Sequence, residues 1–545
     1  MMAKFIFVTG GVVSSLGKGM SAATIGALLK ARGFKVRIRK LDPYLNIDPG
    51  TMSPLQHGEV YVTEDGAETD LDLGHYERFL SQNSHSSDSI SGGKIYYNVL
   101  MKERRGDYLG ATVQMIPNVT DEIKEFISSG MLGEDFVICE VGGTVGDIES
   151  LVFLEAIRQY ANDIGRRNAM FIHVTLLPYI DKVKELKTKP TQHSVKNLLE
   201  KGIQADMLLC RSTKPFSEGE REKLALFCNI ERSNIIPAID VDSVYKLPEL
   251  YYTAGVDQRV LEHFNIKSED YVPDMNKWEE LAKKIDSLKD KVNIALVVKY
   301  GDASDAYKSL NEALHHSAWA ENLDINIKWI NTETLENTDD MDSFFRDVTG
   351  IIVPGGFGER GTVGKMKGIS YARVSNIPYF GICFGLQLAV IEFARNVVGI
   401  KDANTTEFEH PCSPVISLMT EWISKGEIEK RSQDSDKGGT LRLGSYPCRI
   451  VENTLAHSIY NTEFIHERHR HRYEMNTNYE AAYAEKGLHV TGRSPDGVLP
   501  EIIELKTHPF FLGVQFHPEF KSTPFKPHPI FSNFLRAAKR AEKQK

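Results

Sequence analysis

Residues 4–19 read KFIFVTGGVVSSLGKG, an apolar run that breaks into a glycine-rich turn carrying one lysine. A helical pattern follows over Lys18 to Arg32, so the stretch opens as strand, tight turn and helix, the first half of a βαβ unit. Glycines 10, 11, 17 and 19 let the backbone aim several N–H groups inward, and the helix N-terminus behind them adds positive potential. Together they form a cradle for phosphate, to which Lys18 adds a point charge. The standard G-x-x-x-x-G-K-[ST] spacing is not met: five residues separate Gly11 from Gly17, and Gly19 stands where Ser or Thr is expected. If Gly19 cannot hold Mg²⁺, carboxylates elsewhere must, because Mg²⁺ usually takes one or two of them with phosphate oxygens and water. Asp72 in ETDLDLGHYERF and Glu140 at the end of FVICE are candidates, and each reads equally well as a strand-end carboxylate in a salt bridge.

Working outward, Val36 to Lys40, Phe136 to Glu140, Ala169 to Thr175 and Met207 to Arg211 are further strand candidates, with helices expected over Ser150 to Ile164 and Thr191 to Lys201. This alternation predicts an α/β fold with a mostly parallel sheet, and polar residues at the strand ends are where such sheets place ligand groups. The chain has 545 residues with 41% hydrophobic and 26% charged content, ordinary for a globular protein. A net charge of −9 argues against a general nucleic-acid coat. The cysteines at 139, 210, 228, 383, 412 and 448 form no C-x-x-C pair, and their density is far below that of a disulfide scaffold. The N-terminus reads as a strand and not as a signal peptide, and no apolar stretch approaches membrane-spanning length. A soluble, cytoplasmic protein is expected, without nucleic-acid or membrane partners.

Residues 267–291 are charged and helical in character, and Val292 to Val298 then open a second α/β run, so we expect domains at 1–266 and 292–545 joined by a linker. In the second run, residues 377–394 (IPYFGICFGLQLAVIEFA) place Cys383 on a strand-to-helix turn, which exposes a nucleophile and favours thiolate through the helix N-terminus. Downstream, GVQFHPE supplies His517 as base and Glu519, two residues on, as the group that fixes its tautomer. IIVPGGFGERG puts Gly355 and Gly356 after an apolar strand, where their N–H groups, with that of Phe384, could hold a tetrahedral oxyanion. Cys383 alone is more often a buried structural thiol, and His517 alone a packed histidine; their conjunction in this order is not ordinary. HERHRHRYE at 466–474 lacks H-E-x-x-H, since Arg470 stands at the second histidine position, and reads better as a carboxylate-binding strand than as a zinc site. Residues 426–444, polar and glycine-rich, read as a mobile loop or lid, or more blandly as a surface insertion; the basic tail reads as solvated surface.

VTGGVVSSLGKG, residues 40–79, EVGGTVGDIES and ELKTKPTQHSVKNL are similar, nearly residue for residue, to the CTP synthase family, and residues 292–545 resemble a class I glutamine amidotransferase. The resemblance implies a P-loop-like parallel-sheet synthase (amidoligase) domain followed by an α/β amidotransferase domain. It implies a ligase of pyrimidine biosynthesis that phosphorylates UTP on O4 with ATP and aminates it to CTP with ammonia from glutamine. ATP would be held by Ser15, Leu16, Gly17, Lys18, Gly19, Met20 and Asp72, and by Ile239, Asp240 and Val241; Mg²⁺ by Asp72 and Glu140. UTP would meet Ser14, Lys187, Thr188, Lys189, Pro190, Thr191, Gln192 and Lys223, and the inhibitor CTP would place its base near Asp147, Ile148 and Glu149. Glutamine would be held by Gly356, Phe384, Gly385, Leu386, Gln387, Glu407 and Arg472. Lys40 points to the same phosphate region, and Pro54 to Val60 to an ammonia path. GTP as activator, drawing on residues 357–361 and 426–444, and a homotetramer are further implications. The rivals are another ATP-dependent amidoligase, such as a cobyrinate diamide synthase, and a catalytically silent regulator or filament subunit. KTKPTQ and EVGGTVGDIES argue against the first, and the intact Cys383, His517, Glu519, Lys18, Asp72 and Glu140 against the second.

Overall fold

The computed structural model describes residues 3–301, 304–408, 410–419, 421–424, 427–430 and 441–543. The chain forms two compact units, one of Met1–Pro49 with Asp72–Lys283 and one of Gly50–Leu71 with Lys284–Lys545. Residues 50–71 are thus grouped with the C-terminal part of the chain.

The first unit is built on a seven-stranded sheet ordered Ile235–Ile239, Met207–Ser212, Ala169–Leu176, Lys4–Gly10, Phe136–Val141, Val36–Asp42, Ser89–Ser91. Every pairing in it is parallel. Helices cover such sheets on both faces, which is why Phe136–Val141 is buried at every position; Val36–Asp42 is equally buried although it carries Arg37, Arg39, Lys40 and Asp42. The helix expected to begin at Thr191 runs from Lys189 to Glu200, two residues earlier, because Pro190 fits the first turn of a helix without loss of a hydrogen bond.

The second unit carries a nine-stranded sheet ordered Asp324–Asn331, Lys291–Val298, Gly350–Val353, Tyr379–Ile382, Phe511–Val514, Pro500–Leu505, Leu488–Arg493, Arg442–Ile450, Phe464–His471. The first five strands run parallel and the rest antiparallel. Of the 426–444 segment, residues 426 and 431–440 lie outside the described residues; 427–430 pair antiparallel with 421–424, and Arg442 begins a sheet strand. At least part of the expected loop is therefore strand. The segment expected to link the domains contains a helix, Asn276–Ser287.

Residues 61–69 form a hairpin (Tyr61–Val62 against Glu68–Thr69) that docks on the strand Phe464–His471. Side chains alternate along that strand. Arg468 pairs with Glu64 at 2.8 Å and donates to Tyr61 Oη, while Arg470 pairs with Glu68 at 2.8 Å. His469 and His471, on the opposite side, are buried, 2.9 Å apart, in a layer with Arg442, Glu474 and Glu501. The carboxylates this strand binds through Arg468 and Arg470 are therefore the chain's own. No described helix is long and apolar enough to cross a membrane.

Candidate functional site

The strands Gly350–Val353, Tyr379–Ile382 and Phe511–Val514 are neighbours in the sheet and run in one direction. Their carboxyl ends lead directly to Gly355, Cys383 and His517, which is how residues far apart in sequence meet. Cys383 occupies φ 51°, ψ −101°, a backbone conformation that non-glycine residues rarely adopt, immediately before the helix Phe384–Phe393. Gly385 has to be glycine for that turn to pack, since a Cβ there would lie 2.0 Å from the Val353 carbonyl oxygen. A Cβ on Gly355 would meet His517 Cε1 at 2.9 Å and Cys383 Cβ at 3.8 Å, so the glycine loop presses against both.

His517 Nδ1 hydrogen-bonds Glu519 Oε1 at 2.7 Å, and its Nε2, also buried, makes no hydrogen bond among the described residues. Burial disfavours the imidazolium, but the Glu519 carboxylate and then Cys383 outweigh it and raise the His517 pKa to about 10. The Cys383 thiol points at the Arg470 carbonyl (3.8 Å), and Gln515 Nε2 donates to the sulfur at 3.6 Å. A pocket beside Cys383 and His517 is lined by Gly355, Gly356 and Phe357 on one side and by Pro54, Glu59 and Val60 on another. Glu407 accepts from the Gly358 N–H at 2.6 Å; burial raises its pKa, with Gly358, Lys299 and Arg472 opposing. That puts Glu407 and Arg472 in electrostatic reach of each other beside the glycine loop. Leu386 is fully enclosed, and the Gln387 amide donates to the Tyr473 carbonyl at 2.9 Å and to Gln515.

In the first unit, Gly17 sits at φ 93° and opens the helix Lys18–Ala31, with Ser15 at φ 54° before it. Lys18 is buried and donates to the Gly143 carbonyl at 2.6 Å; burial lowers its pKa, countered by Glu140, Asp72 and Asp42. Lys40 lies 2.6 Å from Asp72, 2.5 Å from Glu140 and 3.6 Å from Asp42. A Cβ on Gly19 would fall 2.1 Å from Asp72 Oδ1. The glycine at the usual Ser/Thr position therefore makes room for a carboxylate from another helix. Asp42, which sequence reasoning passed over, is pushed by burial to about 7 against the pull of Lys40, with Glu140 and Asp72 adding to the rise. Its Oδ2 and Glu140 Oε1 are buried without hydrogen bonds among the described residues. Among the described residues no three metal-ligating side chains form a cluster, but two carboxylate oxygens with unfilled acceptor capacity beside Lys40 match the one or two that Mg²⁺ takes alongside phosphate oxygens and water.

Arg211, also unforeseen, links two candidate ATP segments: it pairs with Asp240 at 2.8 Å and donates to the Ser15 carbonyl at 3.2 Å. Only its position at a strand end could have signalled this. His173 joins Thr9 (2.9 Å) to Ser194 (2.8 Å) on the helix Lys189–Glu200; burial, then Lys18, lowers its pKa to about 3 and keeps it neutral. Of the candidate UTP residues, Ser14, Lys189 and Lys223 are exposed, and half-buried Lys187 pairs with Glu185 at 2.6 Å. Thr191 donates to the Leu176 carbonyl and Gln192 to Thr188. Asp147, Ile148 and Glu149 form an exposed turn ahead of the helix Leu151–Asp163.

Residues 4–266 match the family described as CTP synthase N-terminus, and residues 302–537 the family glutamine amidotransferase class-I. A CTP synthase of Paramagnetospirillum magneticum is 58% identical over 540 residues, 99% of each chain. One of Rhodospirillum centenum is 58% identical over 537 residues, 98% of this chain and 99% of that one. Among solved structures, the glutaminase domain of Trypanosoma brucei CTPS with bound acivicin is 39% identical, covering 46% of this chain and 94% of that chain, with a TM-score of 0.42.

Proposed function

The chain belongs to the CTP synthase family, and on that premise we propose how its own residues carry out the glutamine-dependent conversion of UTP to CTP. The observation that carries the reading is the meeting of Cys383, His517–Glu519 and the Gly355–Gly356 loop at three adjacent strand ends. His517, held as imidazolium by Glu519, already carries the Cys383 thiol proton on Nε2, and the thiolate attacks the side-chain amide carbon of glutamine. The N–H groups of Gly355, Gly356 and Phe384 face the developing oxyanion. His517 returns the proton to the leaving nitrogen, ammonia departs, and a glutamyl thioester remains on Cys383. Water, deprotonated by His517, then releases glutamate. Glu407 and Arg472, with Gly356 and the turn Phe384, Gly385, Leu386 and Gln387, hold the glutamine. Pro54 to Val60 border the exit for ammonia, supported by the place of Pro54, Glu59 and Val60 on the Cys383 pocket.

In the N-terminal unit the Ser15–Met20 loop and Lys18 bind the phosphates of ATP, with Ile239, Asp240 and Val241 on the adenine side. The γ-phosphoryl group passes to O4 of UTP, and ammonia then displaces phosphate at C4 to give CTP. Lys187 to Gln192, Ser14 and Lys223 take UTP, and Asp147, Ile148 and Glu149 take the cytosine end of inhibitory CTP. A carboxylate there accepts from the exocyclic amine that uracil lacks. Mg²⁺ would be held by Asp72 and Glu140, where it supplies positive charge to phosphate oxygens. GTP as activator is supported by the exposed Phe357, whose carbonyl accepts from Lys299 at 3.1 Å. A homotetramer in the cytoplasm completes the proposal: Leu109, Leu132 and Ile148 are exposed apolar surface that such an assembly would cover.

The test is absorbance at the cytosine band with UTP, ATP, Mg²⁺ and glutamine, with and without GTP; no CTP under either condition refutes the proposal. Glu519→Gln removes the anion that holds His517. Glutamate release should fall by about 10²- to 10⁴-fold, with ammonia-driven CTP formation retained. The His517 pKa lies above its unfolded value of 6.5, at about 10, so its contribution to stability is complete below 6.5 and lost as pH rises through 10. The melting-temperature gap between native protein and this variant should accordingly narrow from neutral to alkaline pH. A gap that widens with pH contradicts the assignment of His517 as a charged partner of Glu519.

A further inference from the structure

Lys365 lies on the helix Thr362–Val374 and is 3% exposed. The sequence GKMKG offers two lysines two residues apart, and they have different fates. Lys367 reaches outward to the carbonyls of Glu336 and Thr338. Lys365 turns inward and makes no ion pair among the described residues; its Nζ donates to the Pro354 carbonyl at 3.1 Å and stands 5.2 Å from the centre of the Phe384 ring. A Cβ on Gly356 would lie 3.3 Å from the same nitrogen. An unpaired ammonium in a protein interior is costly, so its retention calls for a use. Burial, then repulsion from Lys299, lowers its pKa to about 7, with Cys383 acting in the opposite sense.

The three residues it meets, Pro354, Gly356 and Phe384, belong to the two segments that carry the oxyanion donors. A peptide bond is planar and trans, so a carbonyl fixed toward Lys365 puts the N–H of Gly355 on the opposite side of the peptide. Gly355 itself packs against Cys383 and His517. Rotation of this peptide turns on ψ of Pro354 and φ of Gly355, and glycine at 355 leaves the second of these unrestrained. Resting on the glutaminase reading above, we propose that Lys365 is a positioning residue: its ammonium anchors the Pro354 carbonyl and so keeps the Gly355 N–H turned toward the oxyanion formed at Cys383.

Lys365→Met in the full-length enzyme keeps an unbranched chain one atom shorter and removes the anchor. Two probes separate the oxyanion loop from the nucleophile. Iodoacetamide alkylates Cys383 by displacement and needs no oxyanion donors. Glutamate γ-semialdehyde adds the Cys383 sulfur to its carbonyl carbon, the carbonyl electron pair moves to oxygen, and that oxygen occupies the oxyanion position. In the variant the aldehyde should bind about 10-fold or more weakly and kcat for glutamate release should fall about 10- to 100-fold, with KM for glutamine changed less than about threefold. Alkylation and ammonia-driven CTP formation should stay within about twofold, and the melting temperature should not fall. Lys365→Gln, whose amide can still donate to the carbonyl, should recover part of the aldehyde affinity. Unchanged aldehyde binding, equal loss of alkylation and aldehyde binding, or identical Gln and Met variants would each overturn the proposal. Native enzyme that neither releases glutamate nor binds the aldehyde refutes the glutaminase reading instead.

Discussion

Replacing Cys383 with alanine should reduce glutamine-driven CTP formation by about 10⁴-fold or more while synthesis from added ammonium salt proceeds at the native rate. The size follows from the chemistry: without the sulfur there is no covalent intermediate, and the nearest other groups at the strand ends, Gln515 and the Arg470 carbonyl, are not nucleophiles. Selectivity follows from the fold, because Cys383 belongs to one compact unit and the phosphate-binding loop with Lys18 to the other. Both rates are read from one absorbance assay with the nitrogen source exchanged. Parallel loss of the two would mean that the amination chemistry itself depends on Cys383, and the two-site mechanism would be wrong.

Gly19→Ser should reduce ammonia-driven CTP formation by about 10²-fold or more, even though it brings the loop closer to the common phosphate-binding pattern. The first side-chain atom would fall 2.1 Å from Asp72 Oδ1, so either the loop or Asp72 must move. Asp72 is tied to Lys40 at 2.6 Å, and Lys40 to Glu140 at 2.5 Å, so movement spreads to every charged group around the proposed metal. UTP-dependent ATP hydrolysis should fall in step, whereas iodoacetamide labelling of Cys383 should be unaffected. A variant with native activity would show that a hydroxyl can serve where we assign Asp72, and that the glycine is not there for the carboxylate.

The two sites were legible to different depths. The elbow around Cys383 and the FHPE run declare themselves because each is a short local pattern whose chemistry depends on the residues quoted. The central parallel strands of the first unit, such as Lys4–Gly10, Phe136–Val141 and Ala169–Leu176, were legible because burial on both faces makes them largely apolar. What stayed hidden depends on contacts between distant segments. Gly19 called for a carboxylate from elsewhere, but nothing in GKGM shows that the one at residue 72 packs against it, and nothing in GKMKG tells Lys365 from Lys367 except which way a helix happens to face. Asp42 and Arg211 sit at strand ends, as many residues do; Asp42 shares a strand face with Lys40, but only the sheet order brings Glu140 beside that pair and Arg211 beside Ser15. The alternation in HERHRHRYE was read as carboxylate binding, but the partners of Arg468 and Arg470 lie some four hundred positions earlier, at Glu64 and Glu68.

That last pairing bears on how the polypeptide can be cut. A fragment starting at Lys284 would keep Cys383, His517 and Glu519 yet lose the hairpin that pairs with Arg468 and Arg470, along with Pro54, Glu59 and Val60 from one wall of the pocket. Its reaction chamber would open to bulk water on that side, and ammonia released there would be protonated and diluted. The messenger order of the chain and its folding units are out of register: an early stretch of the translated polypeptide must wait for the late part before it has a partner. Gene fission at the apparent domain boundary would therefore separate a glutaminase from a piece of its own enclosure, and a peptide covering residues 50–71 is what a split enzyme would need returned.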